Sequence, residues 1–292
     1  MRKYLENFMA ECEYCAEDSR ILLDAYEVIH SNDASRKILE YVISEYERDY
    51  TLDFKPITEL FPKIAELSGV HEYTVALIVF LCLTRHMREL YRERGICDSV
   101  FLHTALDLRY KLRECKQVNH ICGTFVAFWY PLIFNLELFA LGRLQFHIKP
   151  LNRDYRSETR FLPEGTPVLN IHIPNDSTPL TPSSVRESLC LARDFFRDTL
   201  GDDPAFICHS WLLWPEHEKM LKPESNLIAF LHEFEILDYG RFSNQNVWWR
   251  VFGTNEKNPD LLPTDTSLRR AYAELLRRGE PSGWGFGIKF LN

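Results

Sequence analysis

The hydrophobic rhythm of this chain changes near residue 135, and that change limits the folds open to it. Before it, apolar side chains recur at three- and four-residue intervals; after it, they alternate one by one. In "SNDASRKILEYVISEYERDY", Asn32 or Asp33 is placed to cap a helix whose stripe is Ile38, Tyr41, Val42 and Tyr46. "VHEYTVALIVFLCLTRHMRELYRERG" is apolar around much of its first half, which puts that half at the centre of a bundle. Gly95 stands where a C′ residue ends a helix. "CDSVFLHTALDLRYKLRECKQ" restarts with Asp98 as N-cap and continues through Val100, Leu106, Tyr110 and Arg113. This half carries no repeat and no catalytic spacing, and reads as a scaffold.

Past residue 135 the reading is strands. In "LELFALGRLQFHIKP", Leu141, Arg143, Gln145 and His147 face one way, and Gly142, Leu144, Phe146 and Ile148 the other. "TPVLNIHIP" sets Leu169, Ile171 and Ile173 against Val168, Asn170 and His172, and a helix follows from Ser183 to about Asp198. "AFICHSWLLWP" reads as a third strand buried on both faces. "NLIAFLHEFEILDYG" and "NVWWRVFG" read as a hairpin, "DTSLRRAYAELLRRG" as a helix ending at Gly279, and "GWGFGIKFL" as a closing strand. The expected fold class is α+β. An all-helical domain spans 1–122, and a mixed, mostly antiparallel sheet with flanking helices and one strand–helix–strand crossover spans 123–292.

Composition removes several function classes. A formal charge of −8 argues against a nucleic-acid binder, whose phosphate contacts need a basic face. The richest basic segment, Arg85 to Gly95, has Glu89 and Glu93 among its arginines at helical spacing, the mark of a solvated, ion-paired face. The longest apolar stretch, Ile121 to Asn135, is too short to span a bilayer and contains Pro131, so it reads as core. The N-terminus has acidic residues where a signal peptide needs an apolar run. Eight cysteines without regular spacing then suggest free thiols and a cytoplasmic location. Cys12 and Cys15 have metal-type spacing, but no second ligand pair accompanies them. On one helix face they would act as small hydrophobes, and no metal is expected.

The most informative stretch is "VLNIHIPNDSTPLTPSSVRESLCLARDFF", where a strand feeds a helix through a polar loop. Thr181 sits at the N-cap and Pro182 at the first helical position, where its missing N–H costs nothing. The free N–H groups and dipole of such a terminus suit an anion, and Arg186 adds a charge in or just after the first turn. Asp176 stands in the loop and no glycine does, so a plain capped connection is the other reading.

Together with "FALGRLQF", "FICHSWLLWP" and "LPTDTSLRRAY", that stretch resembles the C-terminal domain of a bacterial family of GNAT-like acyltransferases, in which an all-helical acyltransferase domain comes first. The resemblance covers essentially the whole chain and is strongest over 139–292. It implies acetyl-CoA or another acyl-CoA as co-substrate, with the pyrophosphate held around Asn175, Ser177, Thr178, Thr181, Ser183, Ser184 and Arg186. The chain departs from the superfamily's Q/R-x-x-G-x-G/A turn, having "NDSTPLTPSSV" there. It implies acyl transfer, with acetyl as the expected group, to a primary amine of a small molecule or peptide, directly within a ternary complex. A catalytically silent binding module of the same fold is the alternative.

Direct transfer needs a base, a proton for the leaving thiolate and dipoles for the oxyanion. His172, at the end of the strand before the loop, His209 in "ICHSWLL" and Glu233, expected to share a strand face with Glu235 in "FLHEFEILD", are the candidates. Each can equally be a satisfied polar residue on a sheet. His172 is expected to contribute more to turnover, because its strand runs into the anion loop. His209 is expected to be buried within an apolar strand. Adjacent strand residues face opposite ways, so His209 and Ser210 cannot form a nucleophile–base pair. Cys208, Tyr239 and Tyr272 are further polar candidates without rank.

Overall fold

In this computed structural model, which describes residues 1–244 and 247–291, the chain divides into two units, Met1–Phe139 and Ala140–Asn292. The first is helical: α1 (Arg2–Glu11), α2 (Ala16–Ser31), α3 (Asp33–Arg48), α4 (Phe54–Thr58), α5 (Phe61–Ser68), α6 (Glu72–Glu93), α7 (Asp98–Asn119) and the short α8 (Pro131–Phe134). Asn32 caps α3, its side chain accepting from the N–H groups of Ala34 and Ser35. The buried stripe of α3 is Ser35, Leu39, Val42 and Tyr46, whereas Tyr41 is exposed. Every residue of α6 from Thr74 to Thr84 is buried, as its all-round apolar composition requires. Arg94 is its C-cap and Gly95 follows with φ +67. Cys97, not Asp98, precedes α7; Asp98 instead pairs with Arg88.

The segment 123–139, expected to open the sheet domain, belongs to the helical unit. The reason is aromatic packing: Phe80 lies 4.6 Å from the ring of Tyr130 and 5.1 Å from that of Phe134. The Tyr46 hydroxyl donates to the Phe134 carbonyl at 2.8 Å. Fully burying each such side chain is worth roughly 1.5–3 kcal/mol, enough to fix the segment here. Cys12 and Cys15 do not share a helix face. The chain turns at Glu13 (φ 56), so that Cys12 ends α1 and Cys15 caps α2. Among the described residues no single helix is long and apolar enough to cross a membrane.

The second unit is built on a six-stranded sheet ordered β1-β2-β5-β6-β8-β7. Its strands are β1 (Leu138–Leu141, straddling the division), β2 (Leu144–Pro150), β5 (Pro167–His172), β6 (Phe206–Ser210), β7 (Glu235–Phe242) and β8 (Ser282–Lys289). A separate two-stranded ladder pairs β3 (Tyr155–Arg156) with β4 (Phe161–Leu162). Helices α9 (Pro182–Phe195), α10 (Arg197–Leu200), α11 (His217–Met220), α12 (Asn226–Leu231), α13 (Val247–Val251) and α14 (Ser267–Arg277) complete it. The β5–β6 pair is parallel, with α9 in the connection, and β2–β5, β6–β8 and β7–β8 are antiparallel. The architecture is α+β, a helical region followed by a mixed, mostly antiparallel sheet with flanking helices.

Three local expectations change. "LELFALGRLQFHIKP" is a hairpin rather than one strand, because Gly142 adopts φ +69 and turns the chain at Gly142–Arg143. "NLIAFL" is helix α12, started by Ser225, whose hydroxyl accepts from the Ile228 N–H. "NVWWRVFG" holds α13, so β7 pairs with β8 from the chain's far end; Asn246, the first residue of that expected strand, lies outside the described residues. Gly285 makes room in β8: a Cβ there would lie 2.0 Å from the Leu213 carbonyl oxygen.

Candidate functional site

The sheet opens between its two parallel strands. β5 and β6 are in register only at Leu169↔Phe206 and Asn170↔Ile207, with the Leu169 N–H donating to Ala205 O at 2.9 Å. Beyond that point each strand keeps its other neighbour. β5 stays paired with β2 through Gln145↔His172, and β6 stays paired with β8 through Ser210↔Gly285. The inner edges of β5 and β6 therefore diverge into a wedge at their carboxyl ends. Backbone donors and acceptors along such an edge can hydrogen-bond an extended, amide-bearing chain much as a neighbouring strand would.

The loop after β5 leads to the start of α9 at the mouth of this wedge. The Thr181 hydroxyl accepts from the Ser184 N–H at 3.2 Å, and Pro182 occupies the first helical position, as the sequence indicates. The Val185 N–H goes to the Thr181 carbonyl, whereas among the described residues no acceptor takes the Ser183 N–H. Asn175, Ser177, Thr178 and Ser183 are exposed, as is Arg186, while Thr181 and Ser184 are half-buried. The Asp176 carboxylate turns inward, accepting from the Thr178 N–H and hydroxyl, both at 2.8 Å. Ser177 takes a left-handed φ of 71, which tightens the loop.

Partners in register share a face, so Gln145, His147, Asn170, His172, Ile207, His209 and Phe286 all lie on one side of the sheet. The opposite side carries Leu169, Ile171, Phe206 and Cys208. His172 is tightly held. Its Nε2 lies 2.8 Å from His147 Nδ1 and 2.8 Å from the Asn170 amide nitrogen, and the two imidazoles stack at 4.9 Å. Burial, then the neighbouring His147 and Lys149, push its pKa down to about 3; burial and Lys149 push that of His147 down to about 4. Both rings are neutral near pH 7, and the Nε2 of His172 is already engaged.

His209 is placed otherwise than expected. It is exposed, not enclosed in an apolar strand, because its side chain leaves the sheet on the polar face at the edge of the wedge. Its ring meets Trp284 edge-on at 4.7 Å and Phe286 at 6.4 Å. Crowding against these neighbours, then Lys149, hold its pKa below the ordinary histidine value, while Asp238 acts in the opposite sense. It is therefore neutral, with a lone pair, at neutral pH.

Glu233 does not share a strand face with Glu235. It lies in the turn after α12 and forms an ion pair with Lys289 at 2.9 Å; Glu235 accepts from the Tyr155 hydroxyl at 2.7 Å. Cys208 is fully buried and burial raises its thiol pKa strongly, which disfavours a nucleophilic thiolate. The Tyr272 hydroxyl is spent on His217 Nε2 at 2.8 Å, and Tyr239 is exposed on β7. One group of possible metal ligands, Cys15, Glu17 and Asp18, lies in the helical unit. The Lys116 ammonium already sits on Asp18 at 2.5 Å, supplying a cation there. Lys149, Asp238 and Trp284 at the site, and Arg143 beneath the loop, were not singled out by sequence. His147 had one usable signal, its place beside Gln145 on an alternating face.

The chain matches the N-acyltransferase N-terminal domain family over residues 3–136 and the GNAT-like C-terminal domain family over residues 138–288. Among solved structures it is similar to an acyltransferase in complex with decanoyl-CoA and teicoplanin, at 22% identity and a TM-score of 0.74. The match covers 98% of this chain and 87% of that one. The same figures describe an acyltransferase with CoA and 10C-teicoplanin, and an acyltransferase mutant with octanoyl-CoA. At that identity the likeness is one of fold. No curated protein matches significantly.

Proposed function

We propose an acyl-CoA-dependent N-acyltransferase activity for this chain, which belongs to the family joining an N-acyltransferase N-terminal domain to a GNAT-like C-terminal domain. The observation that carries the reading is the parting of β5 and β6 after two registered positions, with a capped helix start following β5. A coenzyme A donor would extend its pantetheine arm along the open strand edges and set its pyrophosphate at the loop and the first turn of α9. Structural neighbours hold decanoyl-CoA and octanoyl-CoA, which supports a CoA-bound acyl group as donor. Acetyl, octanoyl and decanoyl chains are all to be tried.

In this reading the base is His209. Its ring stands exposed at the wedge edge, and its neutral form takes the proton as an amine attacks the thioester carbonyl. The tetrahedral intermediate then collapses, the C–S bond breaks, and the thiolate of coenzyme A leaves. His172 supports the site through Asn170 and His147 instead of exchanging protons. The acceptor is a small-molecule or peptide amine. Asp238, on the face carrying His209, is already paired with Arg153 at 3.0 Å, so it gives no preference for a cationic acceptor.

Thiol release from acetyl-, octanoyl- and decanoyl-CoA, followed with a panel of primary amines and with calorimetric titration of coenzyme A, tests this. Binding with amine-dependent thiol release is the expected result. Binding without release from any donor would assign the chain to the silent alternative, for which the glycine-free loop with its Asp176 speaks. Absence of binding would remove the reading altogether.

A further inference from the structure

The loop after β5 lacks the glycines that usually let backbone approach a phosphate, and it contains an acidic residue. Arg143 answers both difficulties. It sits in the β1–β2 turn, with its side chain only 10% exposed, and its guanidinium reaches beneath the loop. One Nη donates to the Pro174 carbonyl at 2.9 Å; the other donates to the Thr178 carbonyl at 3.2 Å and lies 3.2 Å from the Asp176 carboxylate. Three electronegative groups of one short loop are thus drawn to a single cation on the inner side. Left unheld, the same oxygens would repel an anion at the mouth.

The same residue is tied to the helix. The Arg143 N–H donates to the Ser188 hydroxyl at 2.7 Å, and that hydroxyl donates to the Ser184 carbonyl at 2.8 Å. Ser184 in turn is the residue capped by Thr181. Gly142 permits this contact: with φ +69, it brings the turn so close that a Cβ would lie 2.7 Å from the Ser188 hydroxyl oxygen. The turn therefore grips the loop with a side chain and the first turns of α9 with its backbone.

We propose that Arg143 is the positioning residue of the donor's pyrophosphate site, standing in for the glycine-rich turn. This rests on the acyl-CoA reading above. It assigns Arg143 to the diphosphate part of the donor, because its side chain holds Pro174, Asp176 and Thr178 of the loop and its backbone N–H holds Ser188 of α9.

The test compares acyl-CoA with the matching acyl-pantetheine, which has the thioester arm but no pyrophosphate. In Arg143→Met the KM for acyl-CoA should rise about tenfold or more, the usual scale for losing charge-assisted hydrogen bonds, with kcat little changed. The KM for acyl-pantetheine should stay within about twofold, a difference expected from ordinary surface substitutions. If Arg143→Met does not fold, Arg143→Lys should show the same split more weakly, because an ammonium cannot fork across three acceptors. An equal rise for both donors would make the residue merely structural and overturn the proposal, as would no rise for either. If the wild-type protein turns over neither donor, the acyl-CoA reading falls and this inference with it. If it turns over both and the split is absent, this inference alone falls.

Discussion

The ends of β5 and β6 carry one histidine each, on the same face of the sheet and one strand apart, yet their surroundings are opposed. His172 is wedged against His147 and Asn170, with its Nε2 occupied and its pKa pushed down to about 3. His209 stands exposed beside Trp284, its pKa lowered with Asp238 opposing the shift. Identical chemistry is thus given two duties by neighbours drawn from distant parts of the chain. A histidine earns the role of base through access and a free lone pair, and residue type or nearness to a loop does not supply these. The two carboxylates near the sheet show no such contrast: Glu233 is paired with Lys289 at 2.9 Å and Asp238 with Arg153 at 3.0 Å.

The sharpest way to break this comparison is to remove each ring in turn. His209→Ala is expected to lower kcat by at least about a hundredfold, the lower end for a positioned general base, with melting temperature nearly unchanged because the side chain is exposed. His172→Ala should keep most of its turnover and lose stability on the order of 1–3 kcal/mol, since it orphans partly buried partners. Turnover and thermal melts of both variants decide the matter. Loss of turnover in His172→Ala alone, with a folded protein, would exchange the two roles.

A smaller effect sharpens it through pH. In the folded chain His172 and His147 have pKa values of about 3 and about 4, below the ordinary 6.5. The unfolded chain therefore binds more protons between these limits, and stability falls as pH falls. Their contribution is complete above about pH 6.5 and drains progressively toward pH 4 and below. Melting temperature should drop between pH 7 and pH 4.5, and replacing both rings with asparagine should flatten that slope. A slope unchanged in the double variant would show that other groups govern it.

The least effect expected is at the loop that β5 enters. Thr181→Ala removes the hydroxyl that accepts from Ser184 and should cost about 1 kcal/mol of helix start. Donor affinity should weaken slightly, visible by calorimetry. An unchanged affinity in a variant with the expected loss of stability would mean that the cap serves the helix and not the ligand.

What the residues by themselves determined was whatever a few neighbours along the chain can settle. The Thr181–Pro182 start of α9, the Asn32 cap of α3, the all-round burial of early α6 and the terminator at Gly95 depend on side chains within one or two helical turns. So did the change of period that separates helices from sheet. The failures were also local in cause: a two-residue turn at Gly142–Arg143 hidden inside an alternating run, and a Ser225 cap hidden before an apolar one. Tertiary structure alone decided the site. The wedge exists because β6 takes its other partner from β8, near the end of the chain, while β5 takes its own from β2. Register between such strands fixes which histidine is enclosed and which is open. It also fixes that Arg143 lies under a loop some thirty residues away in sequence. Burial and charge act through space, and no pattern along the chain specifies which distant group will fill that space.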